Sequence, residues 1–234
     1  MNRFWPMAIG LTVTGASIGF SPLVLAEESP ISVIAQTDPR LGEAATLYET
    51  GKTQQEQGDY EAALATLEQA LAAYEALQDS RGIAQTLVRL GKTYDGLGDY
   101  ENMGSRYQRA LEVAQTRNDR QQEAYALNGV GDIYFYQQQY DEARTYYEQA
   151  LAIFEAMGDD LGKAESLLYL ANSYSVGQQN YEAAEPFLVE SLALYEQELG
   201  ESDAYFPNYL NNLGEVYIAL ERYEDALTDR KSTR

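Results

Sequence analysis

Neither cysteine nor histidine occurs in the 234 residues. Without cysteine there is no disulfide, thiolate zinc site, iron–sulfur cluster or cysteine nucleophile. Without histidine there is no imidazole base for a catalytic triad and no imidazole metal ligand. Basic side chains are also scarce: Lys plus Arg number 16 against 37 Asp plus Glu, a net charge of −21. Affinity for nucleic acid comes mainly from cations that displace phosphate counterions. A chain this acidic repels both a phosphate backbone and an anionic lipid surface, so neither is expected as a partner. Tryptophan occurs once, whereas tyrosine occurs 20 times. That imbalance suggests one structural slot refilled by tyrosine in successive repeats.

The amino terminus has its own character. Arg3 is the only charged side chain among residues 1–26, and Phe4 to Leu25 run without a charge. Val24-Leu25-Ala26 places small and medium side chains ahead of Glu27-Glu28. This is the pattern of a secretory signal peptide over 1–26, with the exported chain starting at Glu27 in the periplasm or outside the cell. The run is also about long enough to span a bilayer uncleaved, but Pro6, Pro22, Gly10, Gly15 and Gly19 weaken it as a stable span. No membrane association is expected after cleavage. Residues 27–40 read as a short linker in which Asp38-Pro39 supplies a helix cap and a proline at the first helical position.

Self-comparison decides the rest. A large apolar residue, a small residue four later and usually a tyrosine three beyond recur: Leu87, Gly91 and Tyr94; Leu127, Gly131 and Tyr134; Leu167, Ala171 and Tyr174; Leu210, Gly214 and Tyr217. Leu47 and Gly51 open the series, with Gln54 in the tyrosine slot. A second block follows each: Gly58-Asp59-Tyr60-Glu61-Ala62-Ala63, Gly98-Asp99-Tyr100-Glu101, Gln139-Tyr140-Asp141-Glu142-Ala143, Asn180-Tyr181-Glu182-Ala183-Ala184 and Arg222-Tyr223-Glu224-Asp225-Ala226. Offsets of three and four put the first triplet on one helical face. Its small member marks where a second helix crosses closely, with Ala63, Ala143, Ala184 and Ala226 as the small partners. Met103 replaces that alanine in repeat two. Asp59 and Asp99 can cap the second helices, and Glu61 and Glu101 suit the positive end of the helix dipole.

These residues resemble the tetratricopeptide repeat family, in a long-repeat form similar to kinesin light chain-like and exported bacterial members. The resemblance implies an all-α right-handed superhelix of about five antiparallel helix pairs over residues 41–234. The repeats run at about 41–80, 81–120, 121–160, 161–202 and 203–234, the last truncated. Pro186 is placed in the early second helix of repeat four, where a missing N–H costs little. A truncated end leaves an apolar face for self-association, for a partner, or for continuation into a longer protein.

The resemblance implies a non-catalytic scaffold or adaptor that binds a protein or peptide along its concave face, with no cofactor. The alternative is the substrate-recruiting part of a larger exported protein such as a peptidase. Gly51-Lys52-Thr53 and Gly91-Lys92-Thr93 do not make a phosphate loop, because Thr46 and Thr86 stand where that loop needs glycine. A glycosidase-like carboxylate pair in a helical barrel would need about twice as many helices as this chain supplies. The expected groove residues are Lys52, Arg89, Lys92, Tyr125, Asn128, Asp132, Phe135, Tyr136, Asn172, Asn211 and Asn212. Asparagine both donates and accepts, which suits an extended peptide backbone. Lys92 and Arg89 are expected to favour acidic ligand groups unless Glu49, Glu56 and Asp95 neutralise them.

Overall fold

A computed structural model describes residues 38–200 and 206–222. The expected signal peptide, most of the linker and the truncated last helix lie outside the described residues. The described residues form nine helices and no strand. They are α1 Pro39–Glu56, α2 Tyr60–Leu77, α3 Ser80–Leu97, α4 Tyr100–Arg117, α5 Arg120–Tyr136, α6 Tyr140–Met157, α7 Asp160–Gln178, α8 Tyr181–Leu199 and α9 Phe206–Ala219. Consecutive helices pack antiparallel as pairs, and the pairs stack into the all-α superhelix anticipated. Among the described residues no helix is long and apolar enough to cross a membrane.

Each helix starts where its sequence says it should. Asp38, Asp79, Asp119 and Asp159 accept a backbone N–H at the start of α1, α3, α5 and α7. Asp59, Asp99 and Asn180 do the same for α2, α4 and α8. Such caps satisfy donors that the helix itself leaves orphaned. Gln139 holds the same backbone conformation before α6 but makes no side-chain cap. Turns between repeats end in the left-handed region, at Gln78 (φ 56°), Asn118 (φ 54°) and Gly158 (φ 68°). Pro186 lies early in the second helix as anticipated, as the sixth residue of α8. By that point an N–H would have bonded the carbonyl of Glu182, so the proline does cost α8 a rung.

The pairs are locked where rings press on glycines. A Cβ placed on Gly131 would stand 2.4 Å from the Tyr147 ring, and one on Gly162 would stand 2.2 Å from Phe154. Tyr107 is gripped from two sides: a Cβ at Gly91 would reach 2.6 Å from it and one at Gly129 2.2 Å. Repeat one uses Leu67 against Gly51, and the crossing alanines Ala63, Ala143 and Ala184 are fully buried. Met103, in the alanine slot of repeat two, is also fully buried, and Gly104 beside it is buried against Ile133. A large side chain followed by none keeps the local volume. Gln54 in the tyrosine slot leaves its Oε1 buried without a hydrogen bond.

Successive first helices α1, α3, α5 and α7 pack on one another. Successive second helices are bridged by long side chains, as in Arg106–Glu68 at 2.8 Å and Arg109–Glu75 at 2.5 Å. The first helices therefore line the inner side of the curve.

The ring-on-glycine contact sets a clear expectation for Gly129→Ala. Alanine gains up to about 1 kcal/mol in helix propensity. The added methyl meets the root of a ring already held on its far side by Gly91, and overpacking of that kind costs about 1–3 kcal/mol. Chemical denaturation should show a net loss of stability; a gain would mean that the Tyr107 ring has room to move aside.

Candidate functional site

The inner face is built by one column of positions per helical turn of α1, α3, α5, α7 and α9. One column, 40 residues apart, holds Lys52, Lys92, Asp132 and Asn172. Its neighbours contribute Tyr48, Gln55, Arg89, Asp95, Tyr125, Glu165 and Tyr169. The structure draws the middle of this set into one polar network.

Lys92 on α3 reaches past α5 to Glu165 on α7, with Nζ 2.6 Å from Oε1. The ammonium lies 5.4 Å from the centre of the Tyr125 ring, and Tyr125 is in turn held edge-on against Phe154 at 4.9 Å. Tyr169 donates its hydroxyl to the same Glu165 oxygen at 2.8 Å. Burial alone would raise the Glu165 carboxyl, but Lys92, Tyr169 and Arg89 outweigh it, so its pKa is lowered. Arg89 donates to Gln55 Oε1 at 3.1 Å and lies 4.0 Å from Glu56. Gln55 in turn donates to the Arg89 carbonyl and to Thr93 Oγ1, tying α1 to α3. Lys52 is half-buried, 3.7 Å from Glu49 on its own helix.

Asp132 occupies the centre. Its Oδ1 accepts from the Tyr147 hydroxyl at 2.8 Å. Burial raises its pKa most; the Tyr147 hydrogen bond opposes this, Asp95 and Glu165 add to it, and Lys92 counters only in part. The outcome is about 8. Near neutral pH the group is largely a protonated acid and can donate as well as accept. Tyr136 donates to Asp95 at 2.7 Å and stacks on Tyr100 with ring centres 4.1 Å apart. Phe135 is packed edge-on against Tyr140 at 5.4 Å.

Two expectations about these residues need correction. Asn128 does not face an open groove: it is 2% exposed and exchanges hydrogen bonds with Ser166 at 3.0 and 3.2 Å. Its position falls where neighbouring first helices meet, and Val88, one repeat earlier, is buried there too. The cations are also not waiting for an acidic ligand, because Lys92 and Arg89 already have carboxylate and amide partners. The partner of Lys92 is Glu165, two repeats away, and not the nearby Asp95, which is engaged by Tyr136. Residues missed as functional are Tyr147 and Tyr169. Tyr147 looks like an ordinary ring slot of the second helix, but its hydroxyl reaches back across the pair to Asp132. Tyr169 stands where earlier repeats carry Gly129 and Arg89 and meets Glu165 one turn away on its own helix, a spacing the sequence does show.

The other end of the face is different. Asn172 and Asn212 are half-buried and Asn211 is exposed. Among the described residues none of their side-chain amides makes a hydrogen bond. Among the described residues, no three carboxylates converge to hold a metal ion.

Family models described as tetratricopeptide repeat match residues 45–76, 82–156 and 158–229. Among solved structures the chain is similar to BtubC (BKLC) from P. vanneervenii, at 20% identity and a TM-score of 0.66 over 87% of this chain and 84% of that one. It is also similar to the nearly identical TPR-like repeats of a Podosopora anserina kinesin light chain, at 17% identity and a TM-score of 0.57 over 82% of this chain and 93% of that one. The apo form of RapI gives 16% identity and a TM-score of 0.64, over 82% and 69% of the two chains. At these identities the likeness speaks for the fold alone. A search of curated protein sequences returned no match.

The central carboxyl gives a pH expectation. An unfolded aspartate titrates near 4, whereas Asp132 in the fold titrates at about 8. Between these values the folded chain keeps a proton that the unfolded chain has released, so this group subtracts stability as pH rises. Asp132→Asn keeps an acceptor for Tyr147 and removes the titration. The melting temperature of the variant relative to the parent should be unchanged near the lower value and should climb towards the upper one. A pH-independent difference would mean that Asp132 is ionised throughout.

Proposed function

This chain belongs to the tetratricopeptide repeat family, and we propose that it is a non-catalytic adaptor that holds an extended segment of a partner protein on the inner face of its superhelix. The observation that carries this reading is the contrast along that face. Between α1 and α7 the polar side chains largely satisfy one another. At the α7–α9 end Asn172, Asn211 and Asn212 present amides with no partner among the described residues, on elements held in place by the ring-on-small-residue crossings. An unpaired amide can answer both the N–H and the C=O of a peptide bond. The internally paired Arg89, Lys92 and Lys52 set the walls and the dielectric of the groove, while Tyr125, Phe135 and Tyr136 add flat apolar surface beside it. Asn128 is left out of the ligand-facing set because its amide is spent on Ser166.

The groove has a direct test. Affinity capture from an envelope fraction of the source organism, read by quantitative mass spectrometry, should yield partners that Asn172→Ala/Asn211→Ala/Asn212→Ala retains poorly. Each lost hydrogen bond is worth about 0.5–1.5 kcal/mol, so affinity should fall by roughly one to three decades. The melting temperature should hold, since alanine is the better helix former. Equal capture by the triple variant would move the site off this face.

We also place the protein outside the cytoplasm, on the strength of the uncharged run from Phe4 to Leu25 and the Val24-Leu25-Ala26 end. Expression in an exporting host followed by amino-terminal sequencing should return Glu27 as the first residue. A retained Met1 in the membrane fraction would make the segment an anchor.

A further inference from the structure

Cations are scarce in this chain, and among the described residues nearly all are used internally. Twelve Lys and Arg side chains fall within the described residues. Ten of them lie within 4.0 Å of a carboxylate: Arg40, Lys52, Arg89, Lys92, Arg106 and Arg109 in the first half, and Arg120, Arg144, Lys163 and Arg222 in the second. Arg81 and Arg117 are the exceptions. With 37 acidic residues in the sequence, an arginine has many carboxylates to choose from, yet these two have none within 4.0 Å among the described residues. Both line the same cleft of about 840 Å³ between the α2–α3 and α4–α5 turns, on the edge of the superhelix away from the inner face.

The cleft is built for more than one point charge. Arg120 stands on its rim with its charge shared with Glu123 at 2.5 Å. The two acidic groups that also line it, Asp79 and Asp119, are engaged as caps by Arg81 N and Gln122 N, each at 3.2 Å. The amino termini of α3 and α5 both open here, and their dipoles offset the capping carboxylates, which leaves Arg81 and Arg117 as the unanswered charges of the cleft. Val113, Ala114 and Met157 supply an apolar wall, with Met157 left 45% exposed at the end of α6. A flexible thioether beside free guanidinium groups suits a segment in which carboxylates and apolar side chains alternate.

We propose that this cleft is a second binding site, independent of the inner groove, for a short acidic and apolar peptide segment of a partner protein. The chemistry narrows the ligand. A guanidinium fork pairs two oxygens of a carboxylate in one plane. A net charge of −21 repels long polyanions such as nucleic acid or an anionic bilayer over many charges at once, whereas a short segment meets mainly the local arginines within about one Debye length of 10 Å.

The probe is a fluorescein-labelled peptide of alternating Glu and Leu, titrated with the full chain and followed by fluorescence anisotropy. Wild-type protein should bind it saturably, and more weakly as salt is raised. Arg81→Ala/Arg117→Ala should weaken binding by about tenfold, the combined worth of two rim ion pairs. Both side chains are exposed, so the melting temperature should not move. Asn172→Ala/Asn211→Ala/Asn212→Ala should bind this peptide as wild type does, which separates this site from the groove. Absence of saturable binding, equal affinity in the double arginine variant, or tighter binding of a matched Lys–Leu peptide or of a single-stranded oligonucleotide would each overturn the proposal.

Discussion

Everything in this superhelix depends on a ring or a leucine pressed against a glycine or alanine of the facing helix. Gly51, Gly91, Gly131 and the alanine at 171 let the second helix of a pair come close enough for its Leu or Tyr to touch backbone. Gly82, Gly129 and Gly162 let the previous second helix do the same from the other side. Dispersion and burial are strong at that distance and fall away quickly with separation. The spacing between helices is therefore nearly fixed, and with it the angle by which each pair is rotated from the last. The curvature of the inner face is the sum of those fixed angles.

This constraint explains which parts were legible in sequence. The ring slots, the small slots and the Asp caps recur at 40 residues because each contact joins elements adjacent in the chain. Periodicity alone exposes them. The charge pairs within a turn or one repeat, Lys52 with Glu49 and Arg89 with Glu56, could be anticipated for the same reason. The bond from Lys92 to Glu165 could not, because it joins residues 73 apart and exists only after the curve has been added up. Asn128 was misplaced for a related reason. How far a side chain stands from the neighbouring first helix depends on curvature, and at this position the gap closes on Ser166. The amino-terminal export pattern and the last helix lie outside the described residues and rest on sequence reasoning alone.

The acidity of the chain has a structural counterpart. Excess carboxylates are kept on outer surfaces and at helix starts, where dipoles and backbone amides stabilise them. The few that enter the inner face are handled one by one: Glu165 is kept ionised by Lys92, while Asp132 holds its proton beside Tyr147. The inner groove is thus nearly neutral in a strongly anionic molecule. Among the described residues, positive charge left unanswered collects instead at one edge, between two turns. A repeat protein can carry chemically different surfaces on its inner face and its edge, because the contacts that hold the pairs together use neither.

The Lys92–Glu165 bridge has a mechanical meaning. A stack of repeats held only by contacts between neighbours is a chain of independent hinges, and it can fray from an end one unit at a time. A strut from the second unit to the fourth spans the hinge between them, as a tie-rod spans an arch. Opening the arch at the third unit stretches a partly buried ion pair, so the strut resists a motion that contacts between neighbours alone would not resist. The α8–α9 end lies beyond the strut, and its spacing rests on the contacts between neighbours alone.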